Sequence, residues 1–241
     1  MDQDNILTPP FEEYDVHTLP NQLWWKRFSL EKAIKMIEAD KDISYWRDTG
    51  NPSYMAVEQL ILYVLYSNDP EEQKTASSKL DELLNRDIRY VQLIGIVSNN
   101  LASEGNKVDE FLRGKEEIFL DYVNDSQAEA LQEQFGEDLR PIIAAQVLGK
   151  TGSPRAIPLL AEWIKSERID LKLAAQSALF DLNLWEAFKL LAEYYGTFKK
   201  ASRKKLIEAL GRFPEGKKLL TEIKAKETHT DLIEKINTML S

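Results

Sequence analysis

The 241-residue chain is 43% hydrophobic with a net charge of −9, so it has the apolar content for a sizeable core and is not a disordered tail. It contains no cysteine, which excludes disulfides, thiolate catalysis and thiolate metal sites together. No apolar run reaches the roughly 18 residues that cross a bilayer, and Met1 to Glu13 is acidic and lacks the basic and apolar segments of a signal peptide. The expectation is a cytoplasmic protein with no membrane contact, in which the acceptor-like Asn124-Asp125-Ser126 is a chance match.

Residues 1–28 read as an extended arm, with Pro9, Pro10 and Pro20 among scattered acids and no helical period. Trp24 and Trp25 end it, and two adjacent indoles carry too much apolar area to stand exposed in a stable monomer. They are expected to pin the arm against the first helices; an aromatic peptide that binds a partner is the alternative. Residues 29–137 read as acidic helical hairpins of irregular length. Ser29 caps a helix carrying Leu30, Ala33, Ile34 and Ile37, Asn51-Pro52 starts the next, and Asp69-Pro70 with Glu71 and Glu72 starts a third that ends near Asn85. Segments 88–102 and 108–123 are predicted to form an antiparallel pair across Ser103 to Asn106, followed by a short piece, 127–135, that closes at Gly136.

Residues 138–241 are tandem. Columns recur at a period of 31: Ala144, Ala175 and Leu206; Val147, Ala178 and Ala209; Leu148, Leu179 and Leu210; Ile157, Phe188 and Leu219; Ala161, Ala192 and Ile223. A unit of two short helices cannot bury its own apolar face, so copies must stack. In the first unit residues 139–150 form one helix, Gly152 permits the turn, Ser153 caps and Pro154 opens a second helix with Ile157, Leu160, Ala161 and Ile164 inward. Two more units span about 169–195 and 200–226, and a helix over 231–240 seals the end. The predicted fold is all-α, an α-α superhelix of antiparallel helix pairs, the solenoid class that includes HEAT and armadillo repeats. Charge divides at the same place: residues 1–138 hold 13 Lys+Arg against 28 Asp+Glu, a net of −15, whereas residues 139–241 hold 18 against 12, a net of +6. Such asymmetry either steers a charged partner or solubilises each half separately.

The stretch from Leu139 to Leu160 resembles a HEAT repeat of the bilin-lyase-like subtype. The subtype's small residues, Leu-Gly, Gly-containing turn with Pro, and Ala-Ile-Pro-x-Leu stand here as Ala144, Ala145, Leu148, Gly149, Gly152, Pro154, Ala156, Ile157, Pro158 and Leu160. The match fades in the second unit, where Phe180 replaces the glycine and the turn is Asn183-Leu184-Trp185, and Gly211 and Pro214 partly restore it in the third. The resemblance covers about 100 residues and implies a solenoid whose second helices line a concave face. HEAT repeats mostly serve as scaffolds for proteins, so it implies little chemistry.

Residue chemistry points the same way. The only histidines, His17 and His229, lie far apart without a ligand pattern and read as solvated loop residues. Gly152-Ser153-Pro154 lacks the strand and second glycine of a nucleophile elbow, and no phosphate loop stands in the chain. Adjacent acids such as Glu12-Glu13, Glu71-Glu72 and Glu116-Glu117 diverge by about 100° on a helix and make no carboxylate pair. No catalytic residue, cofactor or metal is expected. Polar positions beside the second-helix stripe are the partner-binding candidates: Arg155, Glu162, Lys189, Glu193, Lys217, Lys218 and Glu222, with Trp185 as an aromatic anchor. The basic run of Lys199, Lys200, Arg203, Lys204 and Lys205 either grips phosphates or forms an outward solvated stripe. The leading expectation is a non-enzymatic scaffold or adaptor binding a protein or peptide on its concave face. Two alternatives stand: a nucleic-acid binder akin to the HEAT-like alkylpurine glycosylases, and a bilin lyase.

Overall fold

The computed structural model describes residues 25–40, 52–101, 106–133 and 138–241. Among them the chain is all-α: 79% is helix, in 14 α-helices and two 3₁₀ turns, and no strand is present. Contacts group the chain into two compact units, Met1–Leu112 with Glu117–Ala144, and Arg113–Glu116 with Ala145–Ser241.

In the first unit the start signals act as read. Ser29 Oγ accepts from the Lys32 N–H at 3.2 Å to open α1 (Leu30–Ala39), and Asp69 Oδ1 accepts from the Glu71 N–H at 2.9 Å to open α3 (Pro70–Arg86). Asn51, the expected cap of α2 (Pro52–Tyr66), lies outside the described residues, as do residues 1–24, 102–105 and Gly136. Helix α2 carries apolar side chains all round its axis and is accordingly buried all round, from Tyr54 through Val57, Leu60, Ile61 and Tyr63 to Leu65. It packs on α1 and α3, on α4 (Ile88–Asn100) and on α5 (Asn106–Leu112). The single helix expected over 108–123 is instead two, because Gly114 takes φ +78° and ends α5 before α6 (Glu116–Asn124) begins. Helix α7 (Ser126–Glu133) packs on α4. The buried Arg140 guanidinium, at the start of α8 (Arg140–Lys150), donates to the Val123 and Asp125 carbonyls at 3.3 Å and pairs with Asp138 at 2.9 Å. It thereby satisfies carbonyls left open at the end of α6.

The end of the arm docks on α2. The Gln59 carboxamide accepts from the Arg27 N–H at 2.8 Å and donates to the Trp25 carbonyl at 3.1 Å, and the Tyr63 hydroxyl donates to the Phe28 carbonyl at 3.2 Å. Trp25 is buried edge-on to Tyr63 and stacked on Tyr66. This corrects the alternative of a partner-binding arm for Trp25, whose apolar area is already covered by its own chain; Trp24 lies outside the described residues.

The second unit contains the end of α8, a 3₁₀ turn (Pro154–Ala156), α9 (Ile157–Trp163), α10 (Ile169–Leu182), α11 (Trp185–Glu193), a 3₁₀ turn (Tyr195–Thr197), α12 (Lys200–Leu210), α13 (Gly216–Lys224) and α14 (Thr230–Leu240). From α9 onward neighbours in sequence pack on each other, the second helices α9, α11 and α13 pack side by side, and α14 covers α12 and α13. Gly152 takes φ +68° and Ser153 caps the turn that follows. The first-helix columns hold throughout: Val147, Ala178 and Ala209, and likewise Leu148, Leu179 and Leu210, are buried. Gly149 is required because a Cβ there would lie 2.6 Å from Ala178 Cα.

The second-helix columns slip. Ile157, Ala161, Ala192 and Leu219 are only half-buried, and the residues that fill the core are Leu160, Trp163, Ala187, Phe188, Leu191, Gly216, Leu220 and Ile223. Leu160 and Leu191 keep the 31-residue spacing, but Leu220 follows after 29. At the tight start of α13 a Cβ on Gly216 would stand 2.0 Å from the Leu210 carbonyl oxygen; pressed against the end of α12, the helix buries Gly216, Leu220 and Ile223, a stripe that does not repeat the Ala187, Phe188 and Leu191 of α11 at one fixed period.

Candidate binding cleft

The outer faces of α11 and α13 enclose a cleft of about 660 Å³ in the second unit, within the size range of ligand sites. Its floor is apolar, from Ala192, Leu219 and Ile223, and its walls carry Lys189 and Glu193 of α11 and Glu222 and Lys226 beside them. The partial burial of Ala192 and Leu219 is thus explained: these small and aliphatic positions face the cleft instead of the core.

One end of the cleft is built by a buried polar clasp. Tyr195, on the turn after α11, donates its hydroxyl to Glu227, which lies in the loop before α14. The other Glu227 oxygen accepts from the N–H groups of Thr228 and His229 at 2.8 and 2.9 Å, so one carboxylate ties α11 to the start of α14. Arg203 of α12 lies 3.5 Å from it and also donates to the Phe198 and Gly196 carbonyls at 2.9 and 3.1 Å. Burial pulls the Glu227 pKa upward, but the Tyr195 hydroxyl, the two N–H groups and the Arg203 charge together hold it below the ordinary glutamate value. Burial, reinforced by the adjacent carboxylate, pushes the Tyr195 phenol well above its usual range. The pair is therefore a neutral donor and a fixed anion at neutral pH, an arrangement that locks geometry and moves no proton.

Of the residues singled out in the sequence, Lys189, Glu193 and Glu222 come together in this cleft. Arg155, Glu162, Lys217 and Lys218 are exposed but do not line it. Trp185 is half-buried, its ring 5.7 Å from Phe213, so it packs on the adjacent turn. The basic run is dispersed: Lys200 pairs with Asp231 at 2.9 Å, Arg203 with Glu227, and Lys205 reaches Asp181 at 3.7 Å and lies over the Phe180 ring, while Lys199 and Lys204 are exposed. Sequence reasoning missed Tyr195, Lys226 and Glu227. Tyr195 and Glu227 are 32 residues apart in loops outside the repeat columns, and no local pattern joins them.

Among the described residues no group of three or more His, Asp or Glu could hold a metal ion, and none of their helices is long and apolar enough to cross a membrane. His229 is exposed and supplies its backbone N–H to the clasp; His17 lies outside the described residues. No family model, curated protein or solved structure matches the chain.

Proposed function

We propose that this chain is a non-enzymatic scaffold or adaptor of the HEAT-repeat type, acting in the cytoplasm and holding a protein or peptide partner against its second helices. The observation that carries the reading is the cleft between α11 and α13: an apolar floor with charged walls, open to solvent and built on rigid helices. Apolar contact supplies affinity there and the rim charges supply orientation. The nucleic-acid alternative is weakened within the basic run, where Lys200, Arg203 and Lys205 pair with the chain's own acids, so that phosphates would have to displace those partners.

A photo-crosslinking side chain placed at position 193, and for comparison at position 162, tests the reading. Covalent capture of one protein partner at 193, with much less at 162, is the expected result. No partner at either position, with tight salt-sensitive binding of DNA or RNA instead, would overturn it.

A further inference from the structure

We draw no further inference here: the strongest candidate, the unpartnered apolar patch on α10 where Ile169 and Leu173 stand 74% and 52% exposed one helical turn apart, carries nothing because nothing in the structure shows what covers it.

Discussion

Glu227 holds together the end of the cleft, and its removal is the sharpest test of how that end is built. In Glu227→Ala the Tyr195 hydroxyl, on a side chain that is buried, loses its acceptor at about 1–3 kcal/mol. The Thr228 and His229 N–H groups also lose theirs, but both residues are exposed and water restores much of the loss, leaving roughly 0.5 kcal/mol each. The total is about 2–4 kcal/mol, which lowers a urea midpoint by about 1–2 M at ordinary denaturant sensitivity. Glu227→Gln keeps an oxygen for the two N–H groups and turns its amide NH2 toward Tyr195, whose hydroxyl then accepts instead of donating, so the loss is mainly charge assistance, about 1 kcal/mol. Urea unfolding followed by far-UV circular dichroism separates the two. The pH dependence adds an independent reading. The folded carboxyl titrates below its usual value, so as pH falls the unfolded chain takes up the proton first. The contribution is therefore complete above about pH 4.3 and is lost as pH falls through the folded value. Tyr195 runs the other way: its raised pKa leaves its contribution intact below about pH 10 and removes it as pH rises further. Glu227→Gln should flatten the acid limb relative to the parent chain. If Glu227→Gln is as costly as Glu227→Ala, or leaves the acid limb unaltered, the clasp does not act as described.

Two glycines make a matched pair: Gly216→Ala drives a Cβ to 2.0 Å from the Leu210 oxygen and should cost about 1–3 kcal/mol. Gly196→Ala, which meets nothing within 4 Å, should be neutral or about 0.4–1 kcal/mol stabilising; equal melting temperatures for the two would contradict this. Gln59→Ala removes the partners of the Arg27 N–H and the Trp25 carbonyl, for an expected loss of about 2–4 kcal/mol. A red shift in tryptophan emission should accompany it as Trp25 leaves Tyr63, and emission unchanged in the variant would argue against the clamp. Leu191→Ala, at the fully buried centre of α11, should cost about 2–5 kcal/mol and lower the thermal midpoint, whereas a surface-sized effect would mean that the second helices do not share a core.

Much of this protein was legible from local rules. Capping at Ser29, Asp69 and Ser153, the turn at Gly152 and the first-helix columns depend on residues within a few positions of one another or on a strict period, and all stand in the structure. The split of 108–123 at Gly114 was missed because an isolated glycine in a helical pattern is tolerated as often as it breaks one. Candidate site residues were legible only in part. Lys189, Glu193 and Glu222 could be named because polar positions flanking an apolar stripe face outward, but Arg155, Glu162, Lys217 and Lys218 satisfied the same criterion and do not line the cleft.

The amino-acid sequence by itself determined that the chain is helical, where its clearest turns fall and that its last hundred residues are tandem, since propensity, capping and period act over a few residues. Only the tertiary structure decided which outward residues meet, that the buried stripe of α13 departs from the repeat, and that Tyr195 closes on Glu227. Those outcomes depend on how closely one helix can approach the next, a distance set by the absence of a Cβ at Gly149 and Gly216 and by the backbone each faces, and no pattern within a single helix contains it.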